Sequence, residues 1–202
     1  MGRRVQFFHG SKDGLMSLLL ESLPGFCHWY EELATDPVGG FSLDVLEFAT
    51  RICSDGMSAF NSSTADMARR CDELVSTFMG DYCDIGPGRK LLTSASESML
   101  NVRNYMGCLP HIERILGENE AVVWWKSLLQ GRPLVRDASC FPYGTNDEFV
   151  VSWATSDEVE RMIPALRQIE IGDEMLLAPV SRAVEAMECV QLRGLGLICT
   201  TA

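Results

Sequence analysis

Three short strand-like stretches interrupt a chain whose other apolar positions recur at helical spacing. Val5 to Phe8 reads as a strand near the start. Phe149, Val151 and Trp153 read as a second strand, and Leu195 to Thr200 as a third at the end. Val150 and Ala154 make the opposite face of the second strand apolar as well, which predicts an interior strand covered on both sides, with the Trp153 ring buried. Thr155 or Ser156 then offers a helix N-cap, and Glu158 follows Thr155 at the spacing of a capping box. Val159, Met162, Ile163, Leu166 and Ile169 form one apolar stripe beyond it, with Pro164 expected to kink or split the helix.

Between the first two strands the pattern is helical. Leu15, Leu18 and Leu19 line a short helix after Ser11, a candidate cap. Pro24 suits the first turn of a second helix carrying Phe26, Trp29, Tyr30 and Leu33. Ser42 caps a third, with Val45, Leu46, Ala49, Ile52 and Cys53 inward and Gly56 at its end. Met67, Cys71, Leu74, Val75 and Phe78 give the cleanest stripe of this half. Residues 84–90, DIGPGRK, interrupt it. The stripe resumes at Ala95, Met99, Val102 and Met106, stops at Gly107, and restarts after Pro110 with Ile112, Ile115 and Leu116. Ala121, Val122, Trp125, Leu128 and Leu129 form another helix, closed by Gly131 and Pro133. A last helix is expected from Pro179, with Val180, Ala183, Val184, Met187 and Val190 inward and Gly194 at its end.

These elements predict an α+β protein: a mostly helical body packed with a small mixed sheet of three or four strands. The 202 residues suit a single domain. Its helical body is expected over about 1–131, and its αβ layer over 132–202 together with strand 5–8. The hydrophobic share of 47% is enough for a core without a metal or disulfide staple.

The net charge of −11 carries no basic stripe, which argues against a nucleic-acid binder. It favours solubility and basic partners. No apolar run is long enough to cross a membrane. The run VQFF after two arginines is too short for a signal-peptide core, and Gln6 does not fit a myristoylation site. The eight cysteines form no CxxC pair, and with no export signal they are expected to be reduced in a cytoplasmic protein. His9, His28 and His111 lack zinc-ligand spacing.

Four pieces carry a resemblance: Met1–Gly2 with VQFF, WWKSLLQGRPL, VVSWATSDEVERMIPALRQI and AVEAMECVQLRGLGLICT. In this arrangement the chain is similar to the YfbM-like family of uncharacterised bacterial proteins. The similarity covers the first ten residues and about the last 80, by order of elements. It implies a fold and transfers no catalytic residue.

Candidate chemistry is sparse. His9-Gly10-Ser11 at a strand end resembles the His-Gly-Ser/Thr turn of ADP-ribosyltransferases. There the His and hydroxyl hold the nicotinamide ribose of NAD; the bland alternative is a turn with Ser11 as a cap. Gly86-Pro87-Gly88-Arg89-Lys90 offers backbone N–H groups and two cations to a phosphate, without the full P-loop pattern. Cys27 and His28, adjacent on a helix, project about 100° apart and do not pair. Trp124 lies off the centre of its stripe and is the candidate surface anchor, whereas Trp125 and Trp153 fit the core. The long connection 132–147 carries Tyr143 and Asn146, and a loop of that length is often functional. The expected function is therefore non-catalytic: binding of a protein partner, as an immunity-type or regulatory factor, without a cofactor. The competing class is an NAD-dependent transferase acting through His9 and Ser11.

Overall fold

In the computed structural model, residues 4–34, 43–56, 70–83 (except 72 and 76), 86–96, 100–132 and 150–201 are described. The Ser42 cap, Met67, Met99, Phe149 and the loop residues Cys140, Tyr143 and Asn146 lie outside them. The chain is α+β, as the periodicities imply, and its described residues fall into two compact units. One gathers 4–12, 92–132 and 150–201, and the other gathers 13–91. Residues 92–132 thus group with the sheet, whereas their periodicity put them in the helical body. Among the described residues no helix is long and apolar enough to cross a membrane.

The first unit holds β1 (Arg4–His9), β2 (Leu100–Asn101), β3 (Val150–Ala154) and β4 (Leu197–Thr201), in the order β2-β1-β4-β3. Every pairing among the described strands is antiparallel, where a mixed sheet was expected. β4 and β1 are interior. β3 pairs with β4 and is the last strand of the sheet among the described residues; on its other side the Val151 carbonyl accepts the Arg132 N–H at 3.0 Å. The all-buried Leu197–Thr201 is the strand with both faces covered.

Register sets which face of β3 enters the core. Phe7 pairs with Cys199 and His9 with Leu197, while Ser152 and Ala154 pair with the same two β4 residues. Val5, Phe7, Leu197, Cys199 and Ala154 therefore share the face that enters the main core. The more apolar set, Val151 and Trp153, occupies the other face, and Trp153 is only half-buried. Ser152 tolerates the core face because its hydroxyl meets that of Ser127 at 3.0 Å, which satisfies a buried polar group.

The second unit contributes α1 (Lys12–Ala34) and α2 (Leu43–Asp55). Four later helices cover the core face of the sheet: α3 (Val102–Leu116), α4 (Glu120–Gln130), α5 (Ser156–Leu166) and α6 (Glu174–Gln191). Trp125 is fully buried, donates to the Tyr105 carbonyl at 3.0 Å and packs against the Tyr105 ring. Asn101, Asn119, Thr155 and Asp173 cap α3 to α6 through their side chains, each satisfying a free N–H of the first turn.

Proline does not mark the boundaries the sequence indicated. Pro24 lies inside α1, which runs unbroken through both expected helices. Pro110 and Gly107 lie inside α3. Pro179 lies in the second turn of α6. Pro164 falls in the last turn of α5 without splitting it. Each proline removes one backbone hydrogen bond, but the apolar stripe on either side keeps the same face buried, and that burial outweighs the local loss.

In the second unit the stripe of Cys71, Leu74 and Val75 leads into a π-helical turn, Phe78–Tyr82, closed by Cys83 N–H to the Phe78 carbonyl at 2.9 Å. Phe26, Trp29 and Tyr30 of α1 pack with Phe78 and Tyr82 in one aromatic cluster with ring centroids 5.2–6.3 Å apart.

Candidate functional site

The His9 end of the sheet is where three chain segments cross. His9 and Ala154 both pair with Leu197, and Gly10 N–H donates to the Gly196 carbonyl at 3.1 Å. A Cβ on Gly196 would lie 2.5 Å from the Ala154 carbonyl oxygen and 2.9 Å from that of Gly10. Only glycine lets these backbones approach so closely. Just before it, α6 ends in a tight reversal. Leu195 N–H reaches the Val190 carbonyl, Gly194 N–H reaches that of Gln191, and Gly194 has φ +63°.

That reversal brings Cys189, in the last turn of α6, to His9. The thiol Sγ lies 3.6 Å from His9 Nε2. His9 is 9% exposed, and its Nδ1 has no hydrogen-bond partner among the described residues. Burial, then the Arg193 charge, lowers its pKa from the ordinary 6.5, so the ring is neutral at pH 7. A thiol beside an imidazole is the arrangement of a cysteine nucleophile and its base. Here no third group among the described residues orients Nδ1, and both the burial and Arg193 oppose the imidazolium that base catalysis must form. The pair is suited to packing more than to proton transfer. Its members are 180 positions apart, beyond any local motif.

On the other face of the same sheet end, Arg132 lies over Trp153, Cζ 3.6 Å from the ring centroid, with Lys12 Nζ at 5.4 Å. Arg132 also donates to the Trp153 carbonyl at 3.0 Å and to both oxygens of Glu158 at 2.9 and 2.8 Å. Glu158 in turn accepts from the Thr155 N–H at 2.8 Å and completes the capping box. Burial pushes the Glu158 carboxyl up, and the Arg132 and Thr155 hydrogen bonds outweigh it, leaving the pKa below the ordinary 4.5. This network ties the end of α4 to β3 and α5.

The sequence-derived candidates do not converge. His9 and Ser11 are neighbours at the end of β1, yet the imidazole meets Cys189 while Ser11 is exposed before α1. Gly86 N–H donates to the Asp81 carbonyl and Gly88 N–H to that of Tyr82, so neither glycine N–H points outward to a phosphate. Gly88 lies against the Tyr82 ring, where a Cβ would come within 2.5 Å, which makes the GPG segment a packing element. Arg89 and Lys90 are exposed beside it. Trp124, the expected surface anchor, is 4% exposed and packs edge-on to Trp125. α4 is buried on more than one side, so a residue off the stripe's centre is still inside. Tyr143 and Asn146 lie outside the described residues. Among the described residues no group of three or more His, Cys, Asp or Glu side chains is placed to hold a metal ion.

Exposed apolar side chains supply the feature that the periodicity did not reveal. Cys108 Sγ contacts the Leu176 carbonyl at 2.8 Å, and a Cβ on Gly107 would lie 3.2 Å from Leu176 Cδ2. This contact joins α3 to the start of α6. Met106 and Met175 precede Gly107 and Leu176 and are 57% and 71% exposed. Met106 belongs to the apolar stripe read from sequence, but the helix continues past Gly107 with a shifted face, which turns it outward.

No protein-family model matches the chain, and neither a curated protein nor a solved structure matches it. The YfbM-like resemblance rests on the sequence pattern alone.

Proposed function

We propose that this is a non-catalytic protein that binds a protein partner through its exposed methionines, Met106 on α3 and Met175 on α6. The observation that carries the reading is the exposure of these two methionines. Methionine is flexible and polarizable, and suits surfaces that adapt to an apolar side chain. Asp173 and Glu174 precede Met175 and are exposed, and the chain carries −11 overall, so the complementary surface is apolar with basic residues around it. The test is affinity capture from the native host with the wild type and the Met106→Glu/Met175→Glu variant in parallel. Both positions are exposed, so the variant should melt like the wild type. A protein retained by the wild type should be reduced about tenfold or more on the variant, a change of about 1.4 kcal/mol or more. Equal retention, or no protein retained by the wild type, overturns the proposal.

A further inference from the structure

Cys27, on α1, and Cys53, in the last turn of α2, bring their sulfur atoms to 4.0 Å. They belong to one compact unit and are 26 residues apart in sequence. Their environments differ in the way a stepwise oxidation requires. Cys53 is exposed and open to a small oxidant, while Cys27 is 9% exposed. We infer that Cys27 and Cys53 are an oxidisable thiol pair, in which a hydroperoxide converts Cys53 to a sulfenic acid and Cys27 resolves it to an intramolecular disulfide.

The chemistry balances within that assignment. The Cys53 thiol gives its proton to water and, as thiolate, attacks the terminal peroxide oxygen; the O–O bond breaks, and the hydroxide or alkoxide that leaves takes up a proton, giving Cys53–SOH. The Cys27 sulfur then attacks the Cys53 sulfur, the S–O bond breaks, and the Cys27 proton departs with the hydroxyl as water. Two electrons pass from the dithiol to the peroxide. Burial first, then the charge and hydrogen bond of Cys53, push Cys27 up to about 12, so it waits as a thiol and does not compete as the first target. Closing from 4.0 Å to a bond of about 2.05 Å needs a movement of about 2 Å. Cys53 lies two residues from the end of α2, and Gly56 follows at φ +61°, so the moving residue is in a terminal turn. The disulfide would tie α2 to α1.

The experiment treats the reduced full chain with stepwise hydrogen peroxide, alkylates the remaining thiols and maps the digest without reduction by mass spectrometry. The expected product is a Cys27–Cys53 linked peptide with the mass loss of two hydrogens, appearing before oxidation of Cys71, Cys83, Cys108 or Cys199. Cys53→Ser, at an exposed position, should abolish that peptide and leave Cys27 alkylatable after denaturation. Accumulation of sulfinic acid at Cys53 in the wild type with Cys27 still alkylatable would overturn the pairing. So would a Cys53–Cys53 link between two chains, or an unchanged peroxide response in Cys53→Ser.

Discussion

Glu158→Ala removes the group that ties three elements together, and its cost can be worked from the geometry. The substitution removes the Thr155 N–H to carboxylate bond but keeps the backbone N–H at position 158, which still donates to the Thr155 hydroxyl. Half of the capping box therefore survives. Thr155 is exposed, so its N–H can be re-solvated, and this loss is about 0.5 kcal/mol. The bidentate pair with Arg132 contributes more. The two side chains are 29% and 18% exposed. An exposed pair contributes about 0–1 kcal/mol, and breaking a fully buried one costs about 3–5 kcal/mol. This pair lies between those limits, and Arg132 keeps its Trp153 ring and carbonyl contacts, so about 2 kcal/mol is expected. The total is about 2–3 kcal/mol, measured as a shift in urea midpoint at constant slope. The pH dependence checks the origin. The folded pKa of Glu158 lies below its unfolded value of 4.5, so the stabilisation is full above 4.5 and is lost as pH falls through the folded value. The gap between wild type and variant should therefore narrow in acid. Glu160→Ala, exposed two residues on, should stay within about 0.5 kcal/mol. A Glu158→Ala loss below about 0.5 kcal/mol, or a gap that does not narrow in acid, would show that the Arg132–Glu158 pair does not hold these elements together.

Two further outcomes follow from the sheet end. His9 has a folded pKa below its unfolded 6.5, so the unfolded chain binds the proton more tightly; stability is full above 6.5 and falls as pH drops from there toward the folded value. Thermal melts between about pH 7.5 and 5 should show this loss in the wild type and not in His9→Gln, and an identical pH response in both would exclude His9 as its source. Gly196→Ala should cost on the order of 3 kcal/mol, because its Cβ would meet two backbone oxygens that cannot rotate away; a denaturant midpoint equal to wild type would mean that the three-segment crossing yields to a methyl group.

Local chemistry was legible in the sequence wherever a residue's partner is close along the chain. The Thr155–Glu158 capping box, the α5 stripe and the Gly56 and Gly194 helix ends are all as the spacing implied. Pairings between distant residues were not legible. Arg132 meets Glu158 from 26 residues away, and His9 meets Cys189 from 180 away, so neither pairing leaves a periodic trace. Proline misled the helix boundaries because tertiary burial on both sides of Pro24, Pro110 and Pro179 overrides the missing N–H. Composition did not tell which face of β3 enters the main core. Its Val151 and Trp153 are the more apolar set, but the Ser127–Ser152 contact lets the set with Ser152 and Ala154 face the main core. Trp124 shows the same limit for helices: a stripe gives the centre of a buried face and not its width.

The proposed binding face is tested most directly by methionine-oxidation footprinting of the captured complex beside the free protein, with thiols alkylated beforehand. In the free protein Met106 and Met175 should oxidise fast, while Met79, Met162 and Met187, at 0–1% exposure, stay protected. A partner seated on both methionines should slow oxidation at Met106 and Met175 together. Unchanged rates at both positions in a complex that remains assembled would contradict it.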